Sequence, residues 1–251
     1  DYKDKISLIK DGNVDLVLTD IPYLISKQTN LESIQNYTKI DGLSSWDGME
    51  FGDWDKSFDI EEYIKHCTRI LKPSSSIIVW ASWQQLELID CLIKYYLESS
   101  KGEPRIGIWK KTNPSVFNMD KMALQPYEFF IWNRKGSNWT FNNQNGKYID
   151  TKDKKVRQHP EIHFYEHSSP SNRTIEGKHK TAKPKALFSW LIHTYTDEED
   201  IDFDGCMGGG TTAVASIETN RKFIGFEIKR EYCEIAAKRL KRSKYKDCIV
   251  Y

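Results

Sequence analysis

The stretch "DIDFDGCMGGGTTAVAS", residues 200–216, constrains the fold most. A short apolar strand runs into three glycines and then into a helix-forming segment, and Gly208, Gly210 and Ala213 fit G-x-G-x-x-G/A. In such a turn the backbone approaches a nucleotide at a helix N-terminus inside a parallel α/β sheet. Glu227 closes the next strand, "KFIGFE", 19 residues past Gly208, where an acid binds ribose hydroxyls. A phosphate-cradling P-loop fits less well. Gly205 and Gly210 satisfy its glycine spacing, but Thr211 stands where its lysine must be. A turn using its glycines for packing alone is the bland alternative.

The glycine turn comes late in the 251 residues, with only one strand and one helix expected after Glu227. The rest of the sheet must come from the N-terminal half. There "VDLVLT" is an apolar run suited to a central strand buried on both faces. "FDIEEYIKHCTRILKP" has helical spacing and is closed by Pro73; "SSIIVWAS" is a strand, "WQQLELIDCLIKYYLE" a helix and "PRIGIWKK" a third strand. This alternation predicts a doubly wound α/β fold with a mostly parallel sheet. Asp20, Ile21, Pro22 and Tyr23 then follow the first strand at its carboxyl end, the edge at which open α/β sheets bind ligands. A strand-end acid capping a turn is the plainer role for Asp20.

From Lys101 to Lys185 the chain carries 17 Lys and Arg against 8 Asp and Glu, a net of +9 hidden within an overall charge of +1. The remainder nets −8. A basic middle in an acidic frame is what a polyanion-binding module inserted into a scaffold shows. The segment after "YEFFIWNRK" has no sustained period, yet Trp139, Phe141, Tyr148, Phe164 and Tyr165 favour a folded insertion over a linker. No apolar run approaches the roughly 20 residues of a membrane helix. The sequence "DYKDKISLIKDG" has no signal-type core, and the five cysteines are widely spaced without a CxxC pair. A cytoplasmic protein with no membrane role and no metal site is expected.

An acid beside a backbone carbonyl offers two acceptors for the hydrogens of an amino group, and an aromatic ring stacks on a planar base. Here the sequence resembles the amino-methylating DNA methyltransferases of the β group. Their Asp/Asn/Ser-Pro-Pro-aromatic motif is similar to "DIPY", Asp20 to Tyr23, and their Asp-Pro-Phe-x-Gly-Ser-Gly-Thr-Thr motif to "DGCMGGGTT", with Asp204, Gly208, Gly210, Thr211 and Thr212 in place. "HKTAKP", His179 to Pro184, looks like their His-Pro-Thr-Gln-Lys-Pro element, and "RKFIGFEIKREYCEIAAKRL" is similar to their closing run. Ile21, Gly205 and Gly209 depart from the pattern.

The resemblance implies S-adenosyl-L-methionine as cofactor, held by Asp204, Gly208, Gly210, Thr211 and Glu227, with His179 and Lys183 approaching its methionine carboxylate. It implies methyl transfer by direct in-line displacement to adenine N6 on a flipped base, with N4 of cytosine as the alternative. Asp20 and the Ile21 carbonyl are the expected acceptors, and Tyr23 the stacking ring. Residues 1–112 and 179–251 form the catalytic domain in this reading, around a target-recognition insertion at 113–178. DNA is the expected partner; a homodimer and a cognate restriction endonuclease, the latter not physically required, are family expectations, as is a bacterial or phage origin. No proline precedes a cysteine, which disfavours C5-cytosine methylation. The motif order opposes a nicotinamide-dependent oxidoreductase, whereas a catalytically weak DNA-binding module stays open. Trp54 and Trp109 are candidates for the base pocket or for the core.

Overall fold

The computed structural model describes residues 2–23, 58–97, 104–114, 124–142, 147–149, 156–158, 164–170 and 182–242. A short helix α1 (Tyr2–Lys5) and a 3-10 turn (Ile6–Leu8) lead into strand β1 (Val14–Asp20). Helix α2 (Ile60–Ile70), β2 (Leu71–Ala81), α3 (Leu86–Leu97) and β3 (Arg105–Lys111) follow, then β4 (Tyr127–Arg134). The strands β5 (Lys147–Ile149) and β6 (Val156–Gln158) form an antiparallel pair of their own. β7 (Phe164–His167), α4 (Lys185–Tyr195), β8 (Ile201–Asp204), α5 (Thr211–Glu218), β9 (Lys222–Gly225) and α6 (Arg230–Arg242) complete the described chain. The strand expected after α6 lies outside the described residues.

Seven strands form the main sheet in the order β7-β3-β4-β2-β1-β8-β9. The β1–β2, β1–β8, β8–β9 and β3–β7 pairs are parallel, and β4 alone runs against its neighbours β2 and β3. The mostly parallel, doubly wound expectation therefore holds. β4 and β7, within the 113–178 stretch, belong to this main sheet.

Local chemistry accounts for the elements. Asp59 caps α2 by accepting from the Glu62 backbone N–H at 2.9 Å, with Glu62 three residues on as in a capping box. α2 ends at Ile70, earlier than Pro73 suggested. Pro73 lies in the irregular start of β2, where Ser74 has φ +69° and the β1 register slips. β1 buries Val14 and Leu16 through Thr19, as a strand covered on both faces must.

Period-2 alternation divides the β1 side chains between two cores. Val17, with Ile77 and Val79 of β2, packs with Tyr63, Ile64, Ile89 and Ile93 of α2 and α3. Leu16 and Leu18, with Ile78, Trp80 and Phe130, pack with Phe188 and Leu191 of α4. Asp20 continues the second row and Thr19 the first.

Candidate active site

Asp20 ends β1 opposite Trp80 of β2, and Asp204 ends β8, so the "DIPY" segment and the glycine turn emerge side by side at the carboxyl edge of one parallel sheet. Because β4 is reversed, its first residues reach the same edge. Phe130 pairs with Trp80, and Glu128, two residues earlier, points from the same face of the sheet as Asp20. Lys183, just before α4, covers that face.

These side chains form one charged cluster. The Lys183 ammonium, 4% exposed, lies 2.5 Å from Asp20 Oδ2 and 3.0 Å from Glu128 Oε2. Lys111 pairs with Glu128 Oε1, and the Tyr23 hydroxyl donates to Glu128 Oε2 at 3.2 Å. The ammonium also sits 5.3 Å from the Tyr23 ring centroid and 5.6 Å from that of Trp80. Asp20 Oδ1, buried, has no hydrogen-bond partner among the described residues.

Burial raises the Asp20 carboxyl above its ordinary value, with Lys183 and the nearby Tyr23 hydroxyl pulling it down and Glu128 pushing it up. Burial would likewise raise Glu128, but Lys183 and Lys111 more than offset it and hold this carboxyl at about 2. Lys183 is raised: burial opposes its charge, and the two carboxylates outweigh that opposition.

The "DIPY" backbone is held from two sides. Ile21, 2% exposed, donates its N–H to the Trp80 carbonyl at 3.2 Å, extending the β1–β2 ladder by one bond. The buried Gln85 side chain donates to the Pro22 carbonyl at 3.0 Å, while its Oε1 accepts from the Ser82 N–H and hydroxyl, each at 2.9 Å.

The glycine turn is braced by its neighbours. Gly208 (φ +49°) donates its N–H to Glu227 Oε2 at 2.8 Å, and Glu227 Oε1 accepts from the Lys229 N–H at 2.7 Å. Gly210 takes the left-handed conformation at φ +75° ahead of α5, and a Cβ there would lie 2.7 Å from Ala236 Cβ of α6. Arg239 of α6, 5% exposed, donates to the Gly209 carbonyl at 2.5 Å and to Thr211 Oγ1 at 3.2 Å. Asp204 accepts from Thr19 Oγ1 (2.9 Å), the Cys206 N–H (3.0 Å) and Thr212 Oγ1 (2.5 Å). Burial nevertheless pushes its carboxyl up to about 7. Tyr63 of α2 ties both strands together, its hydroxyl 2.7 Å from Thr19 Oγ1 and accepting from the Gly205 N–H at 3.0 Å.

The structure thus brings together Asp20, Ile21, Pro22, Tyr23 and Lys183 at one strand end, and Asp204, Gly208, Gly210, Thr211 and Glu227 at its neighbour. His179 and Trp54 lie outside the described residues. Trp109, 1% exposed, packs against Trp80 and donates its indole N–H to the His167 carbonyl at 2.9 Å, a core role. Sequence reasoning missed Glu128, Gln85 and Tyr63. Among the described residues no His/Cys/Asp/Glu group suited to a metal ion occurs, and no helix is long and apolar enough to cross a membrane.

The donor set suits an adenosine-containing methyl donor. The Glu227 carboxylate lies two residues beyond β9 and holds the glycine turn, the turn keeps its left-handed Gly208 and Gly210, and Asp20 Oδ1, without a partner among the described residues, ends the adjoining strand.

Comparison with known proteins agrees with this geometry. A family model described as DNA methylase matches residues 14–238. The chain is 28% identical to the type II methyltransferase M.HinfI of Haemophilus influenzae, covering 97% of this chain and 67% of that protein. It is 27% identical to the DNA adenine methyltransferase YhdJ of Escherichia coli K12, covering 94% and 79%. The M1.HpyAVI structure, solved as its S-adenosylmethionine complex, superposes with a TM-score of 0.62 at 26% identity over 95% of this chain and 92% of that one. The chain therefore belongs to the amino-methylating DNA methyltransferases, the S-adenosylmethionine-dependent enzymes of the N6-adenine and N4-cytosine type.

Proposed function

We propose that this enzyme methylates the N6 amino group of adenine in DNA. The observation that carries the reading is Asp20 Oδ1, a buried acceptor without a partner among the described residues, aimed from the strand end beside the glycine turn. A buried acceptor left unpaired is costly, and an amino group entering the site relieves that cost. Asp at the first motif position favours adenine over cytosine in this family, and the adenine activity in the name of the YhdJ relative points the same way.

When bound, S-adenosylmethionine supplies an electrophilic methyl group. The chain's own residues do the rest by placement. Glu227 and the Gly208–Thr211 turn hold the adenosine end, with Asp204 fixing the turn. Asp20 Oδ1 and the Ile21 carbonyl accept the two amino hydrogens, so that the nitrogen lone pair is less delocalised into the ring and is turned toward the donor. Gln85 already occupies the Pro22 carbonyl, which leaves the Ile21 carbonyl as the natural second acceptor. The Tyr23 ring covers the base, which leaves the duplex to reach this depth. Asp20 takes the proton that the amino group must lose.

Sequence readout falls to the parts of residues 113–178 outside the main sheet, with Lys and Arg on phosphates and polar side chains on base edges. The test is incubation with S-adenosylmethionine and unmethylated DNA, digestion to nucleosides, and mass spectrometry. N6-methyladenine is expected; N4-methylcytosine would overturn the base assignment, and absence of product from varied DNA despite cofactor binding would favour a binding module.

A further inference from the structure

We propose that Lys183, held in place by Glu128, is the positioning residue for Asp20: it pins one carboxylate oxygen and keeps the acid ionised so that the other oxygen meets the target amino group. This rests on the reading of Asp20 as the amino acceptor and departs from the family expectation that Lys183 serves the methionine carboxylate of the cofactor.

The geometry is specific. Lys183 Nζ touches Oδ2 of Asp20 at 2.5 Å, and Oδ1 is left without a partner among the described residues. An ion pair through one oxygen fixes the carboxylate plane and directs the remaining lone pairs outward. Glu128 anchors the ammonium from the other side at 3.0 Å, and is itself fixed by Lys111 and by the Tyr23 hydroxyl. The Trp80 and Tyr23 rings approach the same ammonium. A lysine held this way, 4% exposed and shared by two carboxylates, has little reach left for a further anion.

The charges also balance. Two carboxylates, Asp20 and Glu128, face two ammonium groups, Lys183 and Lys111, and the cluster is neutral while the amino group is still neutral. On transfer a new N–CH3 bond forms as the S–CH3 bond breaks, with the electron pair of that bond staying on sulfur, and the positive charge passes to the amino nitrogen. That nitrogen then gives its proton to Asp20 Oδ1. The protonated Asp20 leaves Lys183, Lys111 and Glu128 with a net positive charge, which drives the proton onward to water once product departs. Asp20 must start each cycle ionised, although burial raises its carboxyl. Of the charged and titratable groups facing it, Glu128, Asp204 and Tyr23 offer no positive charge, and Lys183 supplies the one in direct contact.

The experiment is a pH–rate profile with unmethylated bacterial genomic DNA and radiolabelled S-adenosylmethionine, run alongside calorimetric titration of S-adenosylmethionine into each full-length variant. Lys183→Met removes the cation: the acid limb of kcat moves to higher pH, kcat at pH 7 falls about 10- to 100-fold, and cofactor affinity changes by less than about threefold. Glu128→Gln removes the like charge facing Asp20 while keeping the neutral framework, so the acid limb moves to lower pH. Opposite displacements are the signature, because a general loss of packing moves both variants the same way. Loss of cofactor binding in Lys183→Met with an unmoved acid limb would overturn the proposal in favour of a cofactor contact. Should Lys183→Met fail to fold, Lys183→Arg keeps the positive charge and displaces its point of contact: kcat lowered with cofactor affinity unchanged supports the proposal, and cofactor affinity lowered with kcat unchanged overturns it. Asp20→Ala separates the layers: wild-type turnover there removes Asp20 from the chemistry altogether, whereas loss of turnover there with no shift in the other variants defeats only the role of Lys183.

Discussion

Thr19 and Asp204, 185 residues apart in sequence, are joined by a 2.9 Å hydrogen bond from the threonine hydroxyl to the aspartate Oδ1. The bond couples the end of the strand that carries Asp20 to the strand that launches the glycine turn. Both residues are buried, and the Tyr63 hydroxyl closes the link at 2.7 Å from Thr19 Oγ1. In the proposed mechanism, placement of the methyl acceptor relative to its donor depends on this polar seam between β1 and β8.

Replacing Thr19 by valine keeps the shape and deletes that seam. Asp204 loses one of its donors and Tyr63 one of its partners in a site without water access. A loss of about 1–3 kcal/mol in stability is expected by urea denaturation. Cofactor affinity, measured by calorimetry, should fall as well, because Asp204 fixes the turn through Cys206 and Thr212. Unchanged stability and affinity would show that the seam carries no weight.

Ile21 is the conspicuous departure from the family motif, and the structure explains why it is tolerated. Its N–H donates to the Trp80 carbonyl, which proline cannot do, and its buried side chain is larger than a pyrrolidine ring. Restoring the family residue with Ile21→Pro should therefore lower stability, by about 1–3 kcal/mol, rather than improve the enzyme. A rise in melting temperature would contradict this.

Gln85 supplies stiffness from the other side of the same loop. In Gln85→Ala the Pro22 carbonyl loses its donor and Ser82 its acceptor. The expected result is a kcat lowered about tenfold or more with cofactor affinity nearly unchanged, since the brace touches the "DIPY" loop and not the glycine turn. A change confined to cofactor affinity would refute that division of labour.

The "DIPY" strand end and the glycine turn were legible because each is written in adjacent residues: an apolar run followed by Asp20 to Tyr23, and another followed by Gly208 and Gly210. Glu128 was not, for a physical reason. The alternation in "YEFFIWNRK" marks a strand without giving its direction, and only the reversed run of β4 brings its first residues to the sheet edge that carries Asp20. Gln85 reads locally as one more polar residue in the first turn of the helix "WQQLELIDCLIKYYLE", and Tyr63 as one more core aromatic on α2; their amide and hydroxyl contacts arise across 63 and 44 residues. Lys183 was visible as part of a motif, but its partners Asp20 and Glu128 are set by the packing of α4 on the sheet. Arg239 lay within a recognised run whose use became apparent only when α6 packed on the turn.

Arg239 gives a prediction of its own. Its guanidinium satisfies the Gly209 carbonyl and Thr211 hydroxyl while filling a buried site between α6 and the turn. Arg239→Met keeps much of the apolar stem and removes the donors. Cofactor affinity should weaken about tenfold, with stability lower by about 1–3 kcal/mol. Equal loss of stability without any change in cofactor binding would restrict Arg239 to a packing role.

Asp202 lies within β8, two residues before Asp204. Both its carboxyl oxygens are buried without a hydrogen-bond partner among the described residues, and the neighbouring Ser216 hydroxyl donates to the Thr212 carbonyl at 2.9 Å. Burial pushes this carboxyl up to about 8, against the weaker pull of Ser216 and Arg221. The folded state therefore holds a proton that the unfolded chain releases near the ordinary carboxylate range. A raised folded pKa contributes stability that is fully present below the unfolded pKa and is lost as pH rises through the folded one. Between about pH 4 and 8 the wild type should lose stability relative to Asp202→Asn by up to about 1.4 kcal/mol per pH unit, since one proton is at stake. Urea denaturation of both proteins at pH 5, 6 and 7 measures the difference directly, and the comparison cancels every other titrating group. Parallel stability curves would mean that Asp202 is ionised in the folded enzyme and has found a compensating partner. Curves that diverge with rising pH would establish a buried neutral acid directly behind the cofactor turn.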